Sequence, residues 1–218
     1  MATMGLARYD ELVHAVYDAA LAPARWPEVV SLIAGAFGAP RTLLFTWAHA
    51  PAQGGFTFTH DITQAALEQW AAKSMHEDPF VRSAMDRGLL VEGVAVNGDD
   101  LVPPEALHAT AFYRELWQPL DIERVCSGVV FHGTDARKLP TALSVYRSRR
   151  DPRFRADDVD LMRRLLAHLS RALGVMFHLR DSEWRVAASL AALDRLAGGV
   201  ILLDANERVR FTNRAAQE

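Results

Sequence analysis

His76, Glu77 and Asp78 form the tightest cluster of ionisable side chains in the sequence. An imidazole beside two carboxylates is a donor set for a metal ion or a proton relay. Followed by Pro79, the same residues read more simply as a helix end and the Asp cap of the next helix. The other histidines are scattered. His168 and His178 fall on one predicted helix but ten residues apart, not at the i,i+4 spacing that puts two ligands on one face. Cys126 is the single cysteine, which excludes an internal disulfide and any multi-cysteine metal site. It stands beside Ser127 and Gly128 with no adjacent base, and reads as a small buried strand residue. No nucleophile elbow, H-E-x-x-H, phosphate-binding loop or dinucleotide fingerprint occurs. No catalytic residue, metal ligand or cofactor is assigned, and no enzyme activity is expected.

The aromatic residues offer a different chemistry. Trp47, Trp70, Tyr113, Trp117 and Tyr146 fall on elements expected to face a sheet. Such side chains bury apolar area and keep a hydrogen-bonding handle, which suits a small-molecule pocket. They serve equally well to fill a core, and the spacing does not separate the two roles.

The elements that would position them are legible in part. Tyr9, Val13, Val16, Tyr17, Ala20 and Leu21 recur at helical spacing, and Pro23 ends that helix. Trp26, Val29, Val30, Ile33 and Phe37 stripe a second helix that stops at Gly38. Thr42–Trp47 and Phe56–Thr59 read as a hairpin around a turn at 51–55. Asp61 or Thr63 caps a helix running through Met75, and a short helix follows from Phe80 to Arg87. Residues 89–100 are ambiguous between strand and loop. Pro103-Pro104 opens a helix carrying Leu107, Ala111, Tyr113, Leu116 and Trp117, stopped by Pro119. Ile122–His132, interrupted at Ser127-Gly128, and Thr141–Arg147 are strands joined by a turn at Gly133. Short turns between strand pairs imply antiparallel pairing. The expected fold is α+β: a central antiparallel sheet flanked by helices, with a long C-terminal connector helix.

That helix carries Val159, Met162, Leu166, Leu169, Leu173 and Met176 at alternating spacings of three and four, a heptad seam. Leu161, Leu165 and Phe177 form a neighbouring stripe. The apolar arc is either packed wholly on the chain's own sheet or shared with the same helix of a second copy. We take the six seam residues as the expected homodimer contact. The register breaks at Arg180 and Glu183 and resumes at Val186, Leu190, Leu193 and Ala197. The break is a slip point, a kink or a helix end.

Composition narrows the function classes. The chain has 218 residues, 50% hydrophobic and 23% charged, with a formal net charge of -3. That is a soluble globular balance with no electrostatic footprint for nucleic acid. The one dense basic stretch, Arg147 to Arg155, reads as a solvated connection between a strand and a helix, with a phosphate or partner contact as the alternative. No signal peptide and no membrane-spanning run is present in the sequence, so a cytoplasmic protein without membrane contact is expected. Gly198 to Ala216 reads as strand, Asp-Ala-Asn-Glu turn, strand and helix start. A hairpin that short cannot bury a core, so it is expected to be the opening of a further domain. The expected organisation is 1–180 as the first domain, 181–197 as connector and 198–218 as the start of the second.

Several segments resemble the sensory region of LuxR-type transcriptional regulators. Trp70-Ala71-Ala72-Lys73-Ser74-Met75-His76-Glu77-Asp78-Pro79 is similar to the Trp…Tyr…Asp-Pro stretch of that family, although the Tyr is absent here. Val16-Tyr17-Asp18-Ala19-Ala20-Leu21-Ala22-Pro23-Ala24-Arg25-Trp26-Pro27 resembles the opening of one branch of it. So do Phe112-Tyr113-Arg114-Glu115-Leu116-Trp117-Gln118-Pro119-Leu120 and Leu165-Leu166-Ala167-His168-Leu169-Ser170-Arg171-Ala172-Leu173. The tail from Gly199 to Ala216 is similar to the first hairpin of a PAS domain. The resemblance implies a GAF/PAS-like sensory domain and DNA binding only through a helix-turn-helix outside this chain. It also implies that Trp70 and Asp78 contact a signal molecule, an acylated homoserine lactone in the signal-binding members. With them, Trp47, Tyr113 and Trp117 complete the candidate ligand set. The alternative function is a purely structural dimerisation module with a filled interior.

Overall fold

The computed structural model describes residues 5–47, 54–72, 77–133 and 138–217. The chain divides into two compact units, Met1–Gly174 and Val175–Glu218. The division falls within the long helix, six residues before the expected boundary at 180.

In the first unit the N-terminal helices are α1 (Leu6–Leu21) and α2 (Trp26–Phe37). Pro27 starts α2, where its missing N–H costs nothing, and Gly38 ends it at φ 52°. The predicted stripe is the buried one: Trp26, Val29, Val30, Ile33 and Phe37 are all interior. The five strands are β1 (Arg41–Thr46), β2 (Thr57–His60), β3 (Ala95–Asn97), β4 (Arg124–Phe131) and β5 (Thr141–Arg147). They form one antiparallel sheet in the order β2-β1-β5-β4-β3. The fold is therefore α+β with a central antiparallel sheet flanked by helices, as the turn lengths predict.

Period two assigns the faces of this sheet. Cys126, Val130, Leu143 and Val145 alternate with Val125, Val129, Ala142 and Ser144. The first set lies on the side of the long helix α7 (Ala156–Asp194). Gly128 shows why a glycine stands in mid-strand there. A Cβ at this position would lie 2.6 Å from Leu166 Cδ1, so its absence lets α7 seat directly on β4. The expected interruption at Ser127-Gly128 does not occur, because both residues pair with β5 (Ser127 with Ser144, Gly128 with Leu143).

Two expectations need correction. The heptad seam is taken up inside the chain: Met162, Leu166, Leu169, Leu173 and Met176 are buried and Val159 is half-buried. Leu166 lies against β4, while His168 on the adjacent face meets Tyr9 edge-on and accepts or donates a 3.1 Å bond with the Tyr17 hydroxyl of α1. These side chains are buried within the single chain, so a second copy is not needed to cover them. The basic stretch is likewise not wholly solvated. Arg147 is buried, donates to the carbonyls of Phe37, Pro152 and Arg153 and to Asp158, and stacks 4.0 Å from the Phe154 ring centroid. It pins the end of the central strand β5 to α2 and to the start of α7.

α7 continues to Asp194, so the register change at Arg180–Arg185 is not a helix end. Strands β6 (Ile201–Leu203) and β7 (Val209–Thr212) form the expected hairpin, and α8 spans Arg214–Gln217. Asp204 Oδ1 accepts from the backbone N–H of Asn206 and Arg208, and these bonds hold its carboxyl below the usual range. Buried Asn213 satisfies Val200, Leu193, Gly198 and Ala216.

Candidate functional site

The sheet face opposite α7 is covered by α3 (Gln64–Ala71), α4 (Pro79–Asp86), α5 (Gly98–Leu101), α6 (Pro104–His108) and the turns after them. A cavity of about 620 Å³ lies between sheet and cover. Its floor is the second strand set: Leu43 and Phe45, Val125 and Val129, Ala142 and Ser144, with Tyr146 at one end. Its roof includes Leu67, Trp70, Phe80, Leu90 and Trp117. The volume is that of a small-molecule site, on the order of 300–1,000 Å³.

Trp47, Trp70, Asp78 and Trp117 all line this cavity. The sheet end supplies Trp47, whose backbone N–H donates to the Pro140 carbonyl at 3.1 Å. Thr63 caps the helix that carries Trp70, its hydroxyl accepting from Ala66 N–H. Four rings then close a circuit: Trp70 to Phe112 at 6.2 Å, Phe112 to Trp117 at 5.7 Å, and Trp117 to Tyr146 and Tyr146 to Trp70 at 5.8 Å each. Phe80 stacks on Trp117 at 4.7 Å. Such mutual packing fixes every ring before anything binds. Trp117 is almost fully buried and its Nε1–H has no partner among the described residues, a cost that native interiors rarely carry.

Asp78 is the chemically distinctive member. It caps α4, with Oδ1 accepting from Phe80 N–H at 2.8 Å and Val81 N–H at 3.3 Å. It keeps some accessible surface because it borders the cavity, yet protein surrounds it. Desolvation pushes its carboxyl up to about 6, against the pull of the two backbone bonds. Among the described residues no group of three metal-ligating side chains exists. His76 lies outside the described residues.

Tyr113 is not a cavity residue. Its hydroxyl donates to Glu123 Oε2 at 2.9 Å, and His108 Nε2 meets Oε1 of the same buried carboxylate at 2.8 Å. Tyr113 and Trp117 stand four apart, which on an α-helix means one face. Here Tyr113–Trp117 is a π-helical turn, wider than an α turn. Tyr113 reaches Glu123 and Trp117 lines the cavity.

Sequence reasoning did not single out Phe80, Phe112, Ser127 or Ser144. The two serines are cross-strand partners whose hydroxyls lie 2.8 Å apart on the cavity floor. Tyr146 was visible in the aromatic set, and it lines the cavity at one end of the floor. Burial raises its phenol above the ordinary value, and the nearby Asp78 charge adds to that. The period-two alternation of β5 was the signal for Ser144; nothing local marked Phe80 or Phe112.

The class defined by these elements is an α+β domain with an interior, aromatic-walled cavity over one face of an antiparallel sheet. No protein-family profile matches the chain, and no curated protein matches it.

Proposed function

We propose that the first unit is a small-molecule sensory domain and that the chain is the sensory and dimerisation region of a LuxR-type transcriptional regulator. The carrying observation is the cavity, walled by Trp70, Trp117 and Tyr146 with the carboxylate of Asp78 at its side. A purely structural module calls for a filled interior, and this interior is open by about 620 Å³. The resemblance of the Trp70–Pro79 segment to the family's signal-binding stretch points the same way. DNA binding is assigned to a helix-turn-helix outside these residues, consistent with a formal net charge of -3.

Homodimerisation belongs to the same proposal, at a different place on the helix from the seam. In the second unit Leu179 and Val186 are exposed, and Leu190 and Leu193 half-exposed, on the resumed heptad register. An apolar stripe of that period, two turns of it facing water, is what a matching helix covers.

The sensory reading is tested by thermal unfolding against a panel of small apolar compounds with one polar end. A true ligand at a hundredfold excess over its Kd adds about 2.7 kcal/mol of stability. A panel with no member that moves the midpoint speaks against it.

A further inference from the structure

We infer that the cavity selects an organic cation, a compact ammonium group on an apolar body, with Asp78 as its counter-charge. This rests on the reading of the cavity as a ligand site and names the ligand's class. Among the described lining residues the ionisable side chains are Asp78, Glu68 and Tyr146. No lysine, arginine or histidine is among them. An anionic ligand would bring a second negative charge into a space where no described lining residue neutralises the first. A neutral ligand with an N–H or O–H would hydrogen-bond the carboxylate and still bring no opposite charge to it. A cation satisfies it.

The geometry around Asp78 fits that role. Both backbone bonds of the helix cap reach Oδ1. No donor among the described residues reaches Oδ2, so one carboxylate oxygen is free for a ligand. The cap bonds also fix the carboxylate's direction before binding. The same cavity is lined by aromatic side chains that retain accessible surface, Trp47, Trp70 and Phe80. Their faces attract a positive charge, most of all where water is excluded. Glu68 is exposed, held by Gln64 at 3.0 Å, and adds negative potential at the margin of the site. The remaining floor, apart from the paired hydroxyls of Ser127 and Ser144, is apolar and takes the body of the ligand.

Three probes of matched shape test this: tryptamine as the cation, tryptophol as the neutral analogue and indole-3-propionate as the anion. Calorimetric titration at pH 7.5 is expected to show tryptamine binding at least tenfold more tightly than tryptophol, with indole-3-propionate weakest. Asp78→Asn, which keeps the helix cap, is expected to remove the preference for tryptamine and leave tryptophol unchanged. Lowering the pH to 5 protonates Asp78 and is expected to weaken tryptamine alone. Glu68→Gln is expected to reduce tryptamine affinity less than threefold. Equal affinities, or a preference for the anion, overturn the cation assignment while the cavity stands as a ligand site. If none of the three binds to the wild type, the cation assignment and the ligand-site reading both fall.

Discussion

Replacing Asp78 by Asn is expected to make the unliganded protein more stable at pH 7, by about 3 kcal/mol. Desolvation moves this carboxyl from 3.8 to about 6. Each unit of such a shift is worth roughly 1.4 kcal/mol. The direction follows from the proton balance. Below pH 4 the carboxyl is protonated whether the chain is folded or not, and the folded state loses nothing. As pH rises from about 4 to about 6 the unfolded chain gives up the proton first, and stability falls. Above pH 6 the loss is complete. Asparagine cannot ionise, and it caps a helix about as well as aspartate. The difference in unfolding free energy between wild type and Asp78→Asn should therefore be near zero at pH 3 and grow to its full value by pH 7. Urea unfolding across that range measures it. A site residue whose removal stabilises the fold is one the protein keeps at a cost in stability.

The second large effect separates the two halves of α7. Leu169 is fully buried in the first unit, so Leu169→Ala is expected to cost about 2–5 kcal/mol of stability. It should do so at any protein concentration, because the packing it removes is internal to one chain. Val186 is 56% exposed, so Val186→Glu should change the stability of the folded chain by less than about 0.5 kcal/mol. It is expected instead to convert a dimer to a monomer in light scattering. A Leu169→Ala protein that is fully stable yet monomeric would return the seam to the dimer interface. A wild type that is monomeric at tens of micromolar would remove the dimer from the proposal.

The contrast between these halves shows what the sequence could not say. A heptad of apolar residues records that a helix face is covered, and the same spacing serves a sheet, a neighbouring helix or a second chain. Exposure decides between them, and exposure is a property of the packed chain. The β5 alternation was different. Leu143 and Val145 against Ala142, Ser144 and Tyr146 can be read in only one way, because a strand in a two-faced sheet must alternate. Trp70 and Trp117 were found because large aromatic side chains on amphipathic elements have few places to go. Tyr113 was misplaced because its hydroxyl is taken by Glu123, and spacing along a helix does not show which polar partner a side chain finds. Glu123, its partner, lies ten residues on, just before β4, and nothing marked it. The buried position of Arg147 was hidden by its neighbours, since a run of arginines reads as surface.

All of this bears on one claim, that the space over the sheet is kept open to receive a small molecule. Ala142 faces that space from the middle of the sheet, and Ala142→Trp would fill it with an indole. Native mass spectrometry of the two proteins, each purified without denaturation and then titrated with the same panel of apolar compounds, is the direct test. The account predicts that the wild type carries or takes up a compound in one-to-one ratio, while Ala142→Trp folds cooperatively and takes up none. Identical spectra for the two proteins, bare at every concentration or equally loaded, would contradict it.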